Sequence, residues 1–102
     1  MGAENEIQTE GVKHLRGRGY TVRVMSAPAK MLKQFRGLPD VWVFGPNFLW
    51  MIETKAPDGK MRDSQREFYE TVKPFLGRNL RYSVPRSYAE IVIEAAQLPP
   101  AR

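Results

Sequence analysis

Asp40, Glu53 and Lys55 stand at the ends of two short apolar runs joined by a turn, an arrangement that can gather two carboxylates and an ammonium group on one small surface. The order is Gly37-Leu38-Pro39-Asp40, then Val41 to Phe44, a turn at Gly45-Pro46-Asn47, Phe48 to Ile52, and Glu53-Thr54-Lys55. With Pro46 and Asn47 as the two loop residues, counting back along both strands sets Asp40 directly opposite Glu53. Directly opposed residues point to one face with β-carbons about 5 Å apart, near enough for a single cation to bridge both carboxylates. Lys55 lies two residues beyond Glu53 and shares that face. Two acids and a lysine so placed can hold a divalent cation beside an anionic group and manage a proton next to it.

Composition narrows the choices. At 102 residues the chain can bury one core. Sixteen Lys and Arg against 11 Asp and Glu give a net charge of +5, which favours an anionic partner. The excess is local: no acid falls between Glu10 and Asp40, where Lys13, His14, Arg16, Arg18, Arg23, Lys30, Lys33 and Arg36 lie. Each alone reads as a solvated charge; together they form a stretch able to track phosphates. With no cysteine and one histidine, a thiolate or histidine-rich metal site is excluded, so a metal must sit on oxygen ligands, which suit magnesium or manganese. No apolar run approaches the roughly 20 residues of a membrane span, and the acidic N-terminus is no signal peptide, so a cytoplasmic protein is expected.

The elements that must position these residues read as helix, three strands, helix, strand, helix. Glu4 to Arg16 carries Ile7, Gly11, Val12 and Leu15 at helical spacing, with Gly17 and Gly19 ending it. Tyr20 to Met25 reads as a strand, and the two runs of the hairpin are branched and aromatic throughout, as expected of strands covered on both sides. Pro57-Asp58-Gly59 is a turn. Ser64-Gln65-Arg66-Glu67 has the pattern of a capping box opening a helix that buries Phe68, Tyr69, Val72 and Leu76, with Pro74 kinking its last turn and Gly77 stopping it. Arg81 to Val84 is a fourth strand, and Ser87-Tyr88-Ala89-Glu90 caps a last helix burying Ile91, Val92 and Ala95. An α/β sandwich with a mixed sheet follows, one domain over residues 1–97 with a short tail, 98–102, expected to fray.

Two polar residues interrupt the apolar faces of the first two helices. At about 100° per residue, Glu4 falls in line with Ile7, Gly11 and Leu15, with Gln8 one turn along, whereas Glu6 and Glu10 point outward or sideways. Gln65 lies over Phe68, Tyr69, Val72 and Leu76. Polar groups aimed at a sheet need partners, which a metal site at the hairpin supplies. The plainer readings are that Glu4 complements the helix dipole and that Gln65 caps its own helix.

Taken together, these pieces resemble the virus-type replication-repair nuclease (VRR-NUC) domain of the PD-(D/E)XK nuclease superfamily over nearly the whole chain. The resemblance rests on Glu4-Asn5-Glu6-Ile7-Gln8, Arg36-Gly37-Leu38-Pro39-Asp40, Ile52-Glu53-Thr54-Lys55, Ala56-Pro57-Asp58-Gly59-Lys60 and Ser64-Gln65, in that order. Thr54 stands where the family more often has an aliphatic residue, and Ala27 to Phe35 matches no part of the pattern. The resemblance implies a restriction-endonuclease-like αβββαβ(α) core and a phosphodiesterase using Mg2+ or Mn2+. It implies Asp40 and Glu53 as metal ligands, helped by the Thr54 backbone carbonyl and by Glu4 through water. Lys55 would orient or deprotonate the attacking water and offset charge on the phosphorane, and Gln65 would hold the water or the scissile phosphate.

Expected DNA contacts are Lys13, Arg16, Lys30, Lys33, Arg36, Lys60 and Arg62. The expected partner is DNA, branched or four-way, cut by a homodimer joined through Met31, Leu32 and Phe35, apolar residues in a basic connector. A nuclease without junction preference and a non-catalytic DNA-binding domain on the same fold are the alternatives; clustered carboxylates facing DNA count against the latter. Trp42 and Trp50 read as hairpin packing and His14 as a solvated or phosphate-touching residue.

Overall fold

The computed structural model describes residues 2–25 and 32–101. Helix α1 (Ala3–Gly17) buries Ile7, Gly11, Val12 and Leu15, the residues at helical spacing. Strand β1 (Thr21–Val24) follows, then a 3-10 turn at Lys33–Phe35 and the hairpin of β2 (Val41–Gly45) and β3 (Phe48–Ile52). Helix α2 (Asp63–Val72) passes into a 3-10 turn at Lys73–Phe75, and β4 (Leu80–Ser83) and α3 (Tyr88–Ala96) complete the order. The αβββαβα sequence of elements is the expected one, with β1 and β4 ending a residue or two from the expected bounds. The four strands form one sheet in the order β1-β2-β3-β4, antiparallel except for the parallel pair β3 and β4, so it is mixed.

The two faces of the sheet differ. Val22, Val41, Val43, Phe48, Trp50 and Ile52 form a buried layer under Ile7, Val12 and Leu15 of α1 and Ile91 and Ala95 of α3. The helices approach closely because a side chain is missing at Gly11, where a β-carbon would come 2.5 Å from Ile91 Cδ1. A polar chain ties α3 to this core: Trp50 Nε1 donates to Ser83 Oγ (2.8 Å), which donates to Glu94 Oε1 (2.6 Å). The opposite face carries Trp42, Phe44, Leu49, Met51 and Tyr82, and α2 meets it through the rings of Phe68 and Tyr69 on Tyr82. Coverage there is thin. Phe44 is 45% exposed, against the expectation of strands covered on both sides, and Phe68, Tyr69, Val72 and Leu76 are half-buried.

Three further expectations change. The tail expected to fray is docked, with Leu98 buried and the Tyr20 hydroxyl donating to Pro99 O. His14, expected to be solvated, is half-buried at the α1–α3 seam, edge-on to the Tyr88 ring with centroids 5.8 Å apart. Pro74 does more than kink the second helix: the α-helical turn ends at Val72 and the chain tightens to 3-10 geometry around the proline, which has no N–H for the helical bond. Among the described residues no helix is long and apolar enough to cross a membrane.

Gly37 fixes where the acidic segment meets α2. Its φ is +86°, and a β-carbon would lie 2.2 Å from Ser64 O and 2.6 Å from Ser64 C. Gly37→Ala should therefore destabilise the protein by roughly 1–3 kcal/mol, combining left-handed strain with a backbone clash. Gly77→Ala, with nothing within 4 Å of its β-carbon, should change stability by less than about 0.5 kcal/mol. Urea denaturation followed by tryptophan fluorescence measures both.

Candidate metal centre

The observed register pairs Val41 with Ile52 and Gly45 with Phe48, leaving Pro46-Asn47 as the loop, with Asn47 at φ 60°. One step further along both strands sets Asp40 opposite Glu53, as counted from the sequence. Neighbouring strands extend this pairing past the ends of the hairpin. Met25 N donates to Asp40 O (2.8 Å), Glu53 N to Ser83 O (2.9 Å) and Lys55 N to Pro85 O (3.1 Å). Because the chain that follows β3 stays backbone-paired through residue 55, the alternation of the strand persists. Ile52 and Thr54 face α1, while Glu53 and Lys55 share the face of Met51. Both Glu53 and Lys55 are almost wholly buried, at 1% and 4% exposure.

Helix α1 delivers a third acid. Glu4, Asp40 and Glu53 offer carboxylate oxygens that all lie within 4.8 Å of one another. Glu6 and Glu10, exposed on other sides of the helix, do not join them. Three carboxylates converging without sulfur or imidazole fit a hard divalent cation such as Mg2+ or Mn2+. Thr54 is buried between the sheet and α1, and its Oγ1 has no hydrogen-bond partner among the described residues.

Gln65 is buried at 3% exposure, but its surroundings correct the expected capping box. The helix begins at Asp63, one residue before Ser64, and Gln65 Oε1 accepts from Arg62 N (2.8 Å). The amide carbonyl thus caps its own helix. The contact of Gly37 with Ser64 and Gln65 backbone sets this cap against the acidic segment. Trp42 steadies the same segment by donating from Nε1 to Pro39 O (2.9 Å), and Trp50 is fully buried, so both tryptophans serve packing as expected.

Two residues of the site went unnoticed in the sequence. Arg86 donates through Nη1 to Ala56 O (2.9 Å) and to Gly59 O, holding the turn that follows Lys55. Tyr82, paired with Met51, lies on the face of Glu53. Its phenol is pushed up to about 12, first by burial, then by the Glu53 carboxylate and by Tyr69. Only the alternation of β4 against a known parallel register could have pointed to it. Of the expected DNA contacts, Lys13, Arg16, Lys33, Arg36, Lys60 and Arg62 are exposed, with Arg16 also donating to Val22 O (2.9 Å). Lys30 and Met31 lie outside the described residues; Leu32 is 52% exposed and Phe35 half-buried.

No protein-family model and no curated protein matches the chain. A solved structure described as a VRR_NUC domain does, with a TM-score of 0.70 over 94% of this chain and 97% of that one, at 20% identity. This chain has the VRR-NUC fold. One residue in five is shared, so the likeness is of backbone architecture, a nuclease-like α/β sandwich whose strand order carries Asp40 and Glu53 to one place.

Two measurements follow. Calorimetric Mn2+ titration should show weakened binding for Glu4→Gln and unchanged binding for Glu6→Gln and Glu10→Gln; equal effects from all three would mean general electrostatics. Tyr82 should ionise near pH 12 rather than 10.0, so the folded state holds this proton more tightly than the unfolded chain. Stability from this group is then intact below pH 10.0 and falls as pH rises towards 12, and that loss should be absent in Tyr82→Phe. Tyrosinate absorbance and alkaline unfolding curves of the two proteins measure it.

Proposed function

We propose that the protein is a Mg2+- or Mn2+-dependent endodeoxyribonuclease. The observation that carries this reading is the convergence of Glu4, Asp40 and Glu53 on one point of a VRR-NUC fold, with buried Lys55 on the same face as Glu53. Asp40, Glu53 and the Thr54 backbone carbonyl would hold the metal, with Glu4 as the third acid beside it. A bound divalent cation supplies a lowered pKa for water and neutralisation of phosphate charge.

The chain's own groups do the rest. Lys55 orients or deprotonates the attacking water, and its ammonium offsets negative charge as the water oxygen bonds to phosphorus and an ester P–O bond breaks. Gln65, its carbonyl committed to the helix cap, has its amide N–H groups left for the water or the scissile phosphate. The exposed cations Lys13, Arg16, Lys33, Arg36, Lys60 and Arg62, with Lys30, attract and track the DNA backbone. The favoured substrate is branched DNA, four-way junctions above all, cut by a homodimer that uses exposed Leu32 together with Phe35 and Met31. Symmetric cutting of a four-way junction needs two sites related by a two-fold axis, and one small domain supplies one.

Asp40→Asn and Glu53→Gln should each abolish cleavage and Mn2+ binding while leaving DNA affinity unchanged or improved, because each removes a negative charge from the DNA face. Lys55→Met should keep Mn2+ binding and lose activity by about 10²-fold or more, in line with loss of a proton-transfer group. Wild-type turnover in these variants would end the assignment. Light scattering at micromolar concentration, with cleavage of junction against linear duplex, tests the dimer. A monomer that cuts linear DNA equally fast would leave a nuclease without junction preference.

A further inference from the structure

A cleft of about 520 Å3 opens between α2 and β4, lined by Met61, Arg66, Tyr69, Glu70, Tyr82 and Val84. It adjoins the metal centre through the sheet. Tyr82 pairs with Met51, Glu53 just past the end of β3 is the next residue on that face, and Glu53 N is bonded to Ser83 O, beside Tyr82. The proximity is also felt electrostatically, since the Glu53 carboxylate helps to hold the Tyr82 phenol protonated.

The walls are flat and apolar. Tyr69 and Tyr82 lie with ring centroids 5.3 Å apart and tilted by 47°, and Met61 and Val84 add thioether and aliphatic surface. Lys73 Nζ sits 5.9 Å from the Tyr69 centroid, steadying that ring. Polar groups stand at the rim. The Arg66 guanidinium is held by Met61 O (2.7 Å) and by Asp63, and Glu70 offers a carboxylate. A carboxylate in the lining disfavours a bare phosphate, whereas a heterocycle with donor and acceptor edges satisfies aromatic walls and both rim charges. The volume lies within the roughly 300–1,000 Å3 of sites that enclose one small molecule, far too little for a duplex.

We propose that this cleft receives an unpaired nucleobase of the strand being cut, next to the scissile phosphate, stacked on Tyr69 and Tyr82. The inference rests on the nuclease reading above and deepens it. Extracting a base from a duplex costs stacking and pairing energy that is smallest where the base is already unpaired. The cleft therefore selects DNA with unpaired nucleotides at the cut: flaps, single strands and the branch points of junctions.

The test is cleavage by the wild-type protein with Mn2+ of end-labelled single-stranded, flap and matched duplex DNA, each with a single abasic site scanned through the positions around the cut. At one position flanking the cut, the abasic site should lower kcat/KM about tenfold or more, comparable to loss of a stacking contact. Single-stranded and flap DNA should be cut faster than duplex. Tyr69→Leu, with Mn2+ binding retained, should cut intact and abasic strands at equal rates; should it fail to fold, Met61→Trp, which fills the cleft, replaces it. Equal cleavage of intact and abasic strands by the wild type, or full discrimination in the cleft variant, would overturn the inference and leave the nuclease standing. Cleavage of a four-way junction with none of these DNAs cut would overturn the inference alone, and failure to cut any of them or the junction would overturn both.

Discussion

Two antiparallel strands can slip past one another by a single residue only if every side chain of one strand turns to the other face. The site depends on that restriction. With Val41 against Ile52, Val43 against Trp50 and Gly45 against Phe48, all on the core side, Asp40 and Glu53 have no choice but to meet on the other. The apolar layer beneath α1 and α3 thus sets the separation of two carboxylates on the other face of the sheet. The two-residue loop at Pro46-Asn47, with Asn47 at φ 60°, closes the hairpin in the same register. Packing and turn agree, and that agreement is what makes a register unique.

Around this pair the remaining groups are placed by backbone rather than by side-chain contacts. Met25, just past β1, holds Asp40, while Ser83 at the end of β4 and Pro85 beyond it hold Glu53 and Lys55. Gly37 lets the acidic segment lie against the first turn of α2, so the Gln65 cap and the hairpin share one boundary. Glu4 arrives from the opposite layer, carried by a helix whose own position depends on the bare backbone of Gly11 against Ile91. Each acid therefore comes from a different element.

How much of this could be read in the sequence follows from how local each feature is. The hairpin was legible because a period of two and a short loop fix its register without further information, and Glu4 was separable from Glu6 and Glu10 by helical geometry alone. The start of α2 was misplaced because Ser64 and Glu67 have the spacing of a capping box, while the side chain that reaches back is Gln65, to a backbone N–H one turn earlier. His14 with Tyr88, Tyr82 with Tyr69, and Arg86 with Ala56 and Gly59 join residues far apart in the chain. Their meeting depends on how α3 and the parallel strand settle, which no local pattern encodes. The docked tail belongs to the same class, since its partner is Tyr20.

The parallel pairing of β3 with β4 has a consequence during synthesis. Glu53 and Lys55 emerge from the ribosome well before Ser83 and Pro85, the residues that hold their backbone in place. Non-local pairing of this kind is late to form, because the loop between the strands must close first. A nascent chain therefore carries all three acids and the lysine while lacking the strand that aligns them. The acid cluster is thus aligned only once the sheet is complete, and a truncated or stalled copy without β4 leaves Glu53 and Lys55 without the backbone partners that hold them.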